Sequence, residues 1–228
     1  MKKLISDNLI LTLCKLINNF KKKKCFFFEA GANDGLAQSN TIIVEKKLNW
    51  SGILVEPLPH LFSKLKTNRP NCELYNFALV SKNFINEEIE MNYGFSNNDL
   101  MSHINIYQKS FLKFSRCKTI KVPVTTIDNL LKNSKIQEID FLSLDVEGYE
   151  INALEGMRFK KYRPLAILVE VWVDKIFQII DFFLEKKYYL SNNFSRFNYL
   201  NNPNWSGKNQ DFLFLRDDFV EYYKKNIY

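Results

Sequence analysis

The sequence predicts one α/β domain built on a mostly parallel central sheet with helices on both faces. Three observations predict it. Short, near-continuous apolar segments, "CFFFEA", "GILVEP", "CELYNFAL", "IDFLSLDVEG" and "LAILVEVW", read as strands buried on both faces. The intervals between them can hold crossover helices, and repeated strand, helix, strand order favours right-handed parallel connections. A loop with two glycines and two acids, "EAGANDG", stands where the first strand ends, the place at which an open parallel sheet binds its ligand. With 228 residues, 46% of them hydrophobic, the chain can bury one sizeable core.

Within 5–20 the apolar residues Leu9, Ile10, Leu13, Leu16, Ile17 and Phe20 recur at helical spacing, which predicts a docking helix. Lys21 to Lys24 then form a basic tether, so 1–24 reads as an N-terminal extension and 25–228 as the domain. "LAQSNTIIVEKKLNW" and "PLPHLFSKLKTNRPN" are the first two crossover helices, the second bounded by prolines. About 84–118 breaks the rhythm: "EEIEMNY" alternates, and "GFSNNDLMSHINIYQKSFLKFSRC" is rich in Ser, Asn and aromatics, so the segment reads as an insertion over the sheet. "TIKVPV" is an extended piece that Pro123 assigns to an edge, followed by a helix capped by Thr125 or Thr126. "NQDFLFLRDDF" reads as a closing strand.

No apolar run reaches the roughly 20 residues of a membrane span, and the N-terminus lacks a small-residue cleavage site, so a soluble cytoplasmic chain is expected. Cys14, Cys25, Cys72 and Cys117 show no paired spacing, which argues against a zinc site or a disulfide framework and fits a reducing compartment. The net charge of +7 favours polyanions without fixing chemistry. Lys21 to Lys24 is first a solvated tether; contact with nucleic acid or an anionic membrane surface is the alternative.

Gly31 and Gly35 permit tight turning and close backbone approach. A dinucleotide loop would carry a third glycine where Asn33 stands, with Asp34 beside it, and a pyrophosphate there would meet Glu29 and Asp34. The two carboxylates favour a ligand with positive groups, and S-adenosylmethionine carries an ammonium and a sulfonium. Glu56, closing the second strand, can accept from both ribose hydroxyls; its bland alternative is a strand-end surface acid. Asn76 can offer its amide near an adenine edge or simply form a turn.

On these residues the chain resembles the FkbM-type methyltransferases, an S-adenosylmethionine-dependent family with a Rossmann-like class I fold. The resemblance runs over "FFFEAGANDGLAQSNTIIVEKKLNWSGILVEPLPHLFSKLKTNRPNC", then "VTTIDNLL", "IDFLSLDVEGYEINALEG" and the strand ending at Glu170. It covers roughly Cys25 to Val173. It implies cofactor contacts from Gly31, Asn33, Asp34 and Gly35, with Ser39 among the matching positions, ribose binding by Glu56, and adenine-side contacts around Asn76 and Ala78. It also implies an active-site face at Asp145, Glu147 and Gly148, with Asp145 near the cofactor as well.

The implied reaction is O-methylation of a hydroxyl acceptor, with a carbohydrate, glycolipid or other small molecule as first choice. Asp145 and Glu147 are the candidate bases, although a carboxylate near pKa 4 is a poor base unless burial or a neighbouring acid raises it. His103 is the alternative base. Asp145, Glu147 and Glu170 could instead hold a divalent cation, but no dedicated ligand spacing indicates one. RNA ribose methylation and a catalytically silent cofactor-binding docking module are the rival functions. Amino methylation of DNA would need an Asn or Asp followed by Pro-Pro and an aromatic where "DVEG" stands.

Overall fold

A computed structural model describes residues 7–93, 103–104, 118–195 and 208–227. Its centre is a sheet of strands β1 (Phe26–Ala30), β2 (Ser51–Val55), β3 (Glu73–Tyr75), β8 (Phe141–Leu144), β9 (Ala166–Trp172), β10 (Tyr188–Asn193) and β11 (Asn209–Arg216), in the spatial order β10-β11-β9-β8-β1-β2-β3. The five strands from β3 to β9 are parallel, and β11 enters antiparallel between β9 and β10. Chain order reverses beside β1, which places a crevice at the carboxyl ends of β1 and β8.

The apolar runs follow from burial on both faces. Phe27 and Phe28 are both fully buried, yet successive strand side chains point to opposite faces, so they enter two different cores. Phe28 packs on one side in a core with Leu142, Val169 and helices α5 (Glu150–Glu155) and α6 (Ile176–Leu184). Phe27 packs on the other side with helix α1 (Asp7–Lys21) and helix α7 (Asp217–Asn226). The expected docking helix therefore seals one face of the sheet: Ile10, Leu13, Cys14 and Ile17 are buried, and Trp50 Nε1 donates to Asn18 Oδ1 at 2.9 Å.

The basic run is partly neutralised by the protein itself. Lys21 Nζ lies 2.8 Å from Asp140 and 2.5 Å from Glu138, and Lys23 Nζ lies 2.7 Å from Glu138. Asp140 also accepts the Phe26 N–H, so the tether delivers the chain into β1 at a fixed point.

Several sequence expectations are corrected. The first crossover helix, α2, spans only Ile42–Leu48, because 36–41 is held as an irregular loop by interior polar contacts. "CELYNFAL" is not one strand: β3 ends at Tyr75, and β4 (Ala78–Leu79) belongs to a second, four-stranded sheet with β5 (Glu88–Tyr93), β6 (His103–Ile104) and β7 (Lys118–Thr125). That sheet has the order β4-β7-β5-β6, so β7 is interior despite Pro123. Pro123 is tolerated because it lies at the end of the β5 pairing, and β4 pairs only from Val124 onward. Thr126, rather than Thr125, caps helix α4 (Ile127–Asn133) by accepting the Asn129 N–H at 3.1 Å. Helix α3 (Pro59–Asn68) forms between the prolines as expected.

Candidate functional site

The ends of four parallel strands are laced together at one edge of the sheet. Gly31 N and Ala32 N both donate to Val55 O at 3.1 Å, Glu56 N donates to Tyr75 O, and Asp145 N donates to Ala30 O. Gly31 has φ +78°, and a Cβ placed there would lie 1.8 Å from the Asp145 carbonyl oxygen. The glycine therefore lets the loop after β1 touch the turn after β8 backbone to backbone.

Asn33 is left-handed, with φ +52°, and its side chain accepts the Asp34 N–H. Asp34 Oδ1 accepts the Leu36 and Ala37 N–H groups at 2.9 and 2.7 Å, closing a local turn, and Asn68 Nδ2 donates to the Asp34 carbonyl. These backbone donors belong to the loop; the start of α2, expected close behind Gly35, begins only at Ile42.

Beneath the loop lies Arg69, a residue that sequence reasoning does not single out. It is fully buried. Its Nε donates to Glu45, its Nη1 to the Gly35 carbonyl and Ser39 Oγ at 3.1 and 3.0 Å, and its Nη2 to Thr41 Oγ1 at 3.1 Å. Glu29 completes this interior network, taking Ser39 Oγ, Asn40 N and Thr41 Oγ1 at 2.6–2.8 Å. Breaking such a buried ion network costs about 3–5 kcal/mol. Glu29 and Ser39, both expected among the cofactor residues, are buried and engaged in this network inside the fold. Nothing in "NRPN" distinguishes Arg69 from a surface cation at a helix end.

Glu56 is 4% exposed. Its two oxygens accept the Asn33 and Leu58 N–H groups, each at 2.9 Å, which leaves one further acceptor position on each oxygen. Burial pushes its pKa up to about 7, against the pull of those two backbone N–H groups. Asn76, expected either near an adenine edge or as a turn former, donates its amide nitrogen to the Glu56 and Pro57 carbonyls at 2.7 and 2.8 Å and so fixes the turn after β2. Ala78 is buried in β4, in the small core beneath the second sheet.

Across the crevice, Asp145 follows β8 and begins the turn that contains Glu147, at φ +54°, and Gly148, at φ +96°. Glu170 projects from β9, and carboxylate oxygens of Asp145, Glu147 and Glu170 all lie within 4.8 Å of one another. Burial, then Asp211 and Glu150, raises the Asp145 pKa to about 7. Burial and neighbouring acids also hold Glu147 and Glu170 well above the usual carboxylate range. Asp211 pairs opposite Glu170 on β11 and is bonded to Ser195, a buried contact absent from the sequence expectations; the polar residue within "NQDFLFLR" is its only signal. His103 reaches only the backbone of β6, where it pairs with Asn92; its side chain lies outside the described residues.

A family model for the methyltransferase FkbM domain matches residues 29–191. Among solved structures, methyltransferase FkbM from Methylobacillus flagellatus KT superposes with a TM-score of 0.51 at 13% identity, over 84% of this chain and 43% of that one, a likeness of fold. The precorrin-6y C5,15-methyltransferase from Geobacter metallireducens GS-15 aligns over 94% of this chain and 91% of that one, with 12% identity and a TM-score of 0.48. No curated protein matches the chain.

Proposed function

Because the chain belongs to the FkbM methyltransferase family and is therefore an S-adenosylmethionine-dependent methyltransferase, we propose that it methylates a hydroxyl oxygen of a carbohydrate, glycolipid or other small molecule. The observation that carries this reading is the contact of the two site loops, with Gly31 pressed against the Asp145 carbonyl and the acidic turn immediately beyond.

The residues present fit the cofactor. Glu56 retains an acceptor position on each oxygen for a ribose diol, and the Gly31–Gly35 loop, with Asn33 and Asp34, offers backbone close beside it. Ala78 would stand toward the adenine side, and Asn76 would support that wall through the turn it ties down. Bound there, S-adenosylmethionine supplies a methyl group already activated on a sulfonium. The chain then has to hold the acceptor hydroxyl over the turn at Asp145 and Glu147 and dispose of its proton. Orientation contributes more than proton removal: it can supply about 7–11 kcal/mol, whereas general-base help is worth about 10²–10⁴-fold in rate.

A hydroxyl acceptor suits a turn of carboxylates, which can accept a proton but lacks the Pro-Pro-aromatic sequence expected beside an amine. RNA is the less favoured substrate, since two lysines of the basic run already face Glu138 and Asp140. Labelled S-adenosylmethionine offered with sugars, glycolipids, small hydroxyl compounds and RNA tests the reading. We expect label on a non-nucleic hydroxyl. Transfer only to RNA, with affinity falling steeply with salt, would replace it. Cofactor binding with no transfer to any acceptor would point to the silent docking module.

A further inference from the structure

We propose that Asp145, Glu147 and Glu170 form a site for one hard divalent cation, of the magnesium or manganese kind, between the ends of β8 and β9. Three carboxylates, from the end of β8, the turn that follows it and the neighbouring parallel strand β9, bring oxygens within 4.8 Å of one another. Oxygen ligands around a cation at about 2.0–2.6 Å are separated by distances of this size. An all-oxygen donor set selects magnesium, manganese or calcium over softer metals.

A second observation points to a ligand. Glu170 is 7% exposed, and Asn209 Nδ2 donates to its Oε1, but its Oε2 has no hydrogen-bond partner among the described residues. Asp145 Oδ1 is buried in the same condition, and the Asp145 and Glu170 side chains are close enough to share a proton. A buried carboxylate oxygen without a donor is costly and calls for a proton or a cation. The surrounding charges add to the demand. Asp211 and Glu150 face the cluster as well, Asp211 engaged by Ser195 and Glu150 by the Gly148 N–H. Lys175 reaches the turn, where its ammonium donates to the Gly148 carbonyl at 2.6 Å.

Asp145 and Glu147 are only half-buried, so the open side of the cation would remain for water and for an acceptor oxygen. The inference rests on the hydroxyl-acceptor reading for its purpose: a cation on the acceptor oxygen lowers its pKa, the O–H bond breaks and the proton leaves to water, with the carboxylates acting as ligands instead of bases.

The test uses the full 228-residue chain, stripped with EDTA and titrated with Mn2+ while free ion is followed by its paramagnetic resonance signal. We expect one Mn2+ per chain, displaced by Mg2+, and at least tenfold weaker binding in Glu170→Gln and Glu147→Gln, with circular dichroism unchanged. Glu147 lies in a half-exposed turn, so Glu147→Gln decides the matter if Glu170→Gln fails to fold. Folded wild type that holds no Mn2+ at millimolar concentration, or variants that bind as tightly as wild type, would overturn the site. Calorimetry of S-adenosylmethionine on the same preparation separates the two proposals. Cofactor uptake without Mn2+ overturns the cation alone, and Mn2+ uptake without cofactor overturns only the methyl-transfer reading.

Discussion

Gly31 and Glu56 show how single residues set the site. At Gly31 a left-handed φ coincides with backbone contact to Asp145, so no side chain can be accommodated by a rotamer change. Gly31→Ala is expected to destabilise the fold by about 2–4 kcal/mol and to weaken S-adenosylmethionine binding more than tenfold, read by urea denaturation and calorimetry. Glu56 makes a prediction about pH. Its folded pKa of about 7 stands above its ordinary value of 4.5, so between these limits the folded state holds a proton that the unfolded state has lost. Stability is therefore greatest below about pH 4.5 for this group and falls by about 3 kcal/mol as pH rises to about 7, then levels off. The wild-type minus Glu56→Gln difference in unfolding free energy should trace that decline; a flat difference between pH 5 and 8 would show that Glu56 does not titrate there. In the proposed ribose-binding role, with a backbone N–H already on each oxygen, Glu56 must be ionised, so cofactor affinity should rise over the same interval.

At the scale of elements, the N-terminal helix is part of the sheet's cover. Leu13 is 1% exposed among Phe27, Trp50 and Phe219, and Phe20 meets Phe219 and Tyr222 edge-on at 5.2 and 5.1 Å. Leu13→Ala should cost about 2–5 kcal/mol in chemical denaturation, the range for a cavity in a packed core. An effect below about 1 kcal/mol would mean that α1 is a loosely held appendage. The helix is legible in the sequence because its apolar stripe has a 3.6-residue period. The split of "CELYNFAL" between two sheets is not, since alternation and apolarity are the same on either side of the bend at Asn76. The fate of 36–41 is equally hidden: its residues have the composition of a helix start, and Glu29 and Arg69, remote in sequence, hold them as a loop.

For the whole molecule, binding and folding are linked. S-Adenosylmethionine at a hundredfold excess over its dissociation constant should add about 2.7 kcal/mol to stability and raise the melting temperature, while NAD at equal concentration should not. Equal stabilisation by NAD would contradict the cofactor assignment. No helix among the described residues is long and apolar enough to cross a membrane, and the described cysteines, Cys14, Cys25 and Cys72, are free thiols. The basic run illustrates why charge counted along the chain misleads about the surface: Glu138 and Asp140, more than a hundred residues away, meet it only after folding.

Local pattern along the chain was enough to establish the parallel α/β class and to put Gly31, Glu56 and Asp145 just past the carboxyl ends of its strands. Strand periodicity and the glycine-bearing turn are local properties, and a parallel sheet dictates what lies at its carboxyl edge. Which of the buried acids keeps acceptor positions was decided by packing alone. Glu29 and Glu56 both stand at strand ends as buried carboxylates, yet one is closed in by Ser39, Asn40 and Thr41 and the other keeps acceptor positions open. The same holds for Glu170, whose neighbours Asp145 and Asn209 come from other parts of the sheet. Hydrogen-bond partners and charge crowding depend on contacts between distant segments, which no spacing along the chain encodes.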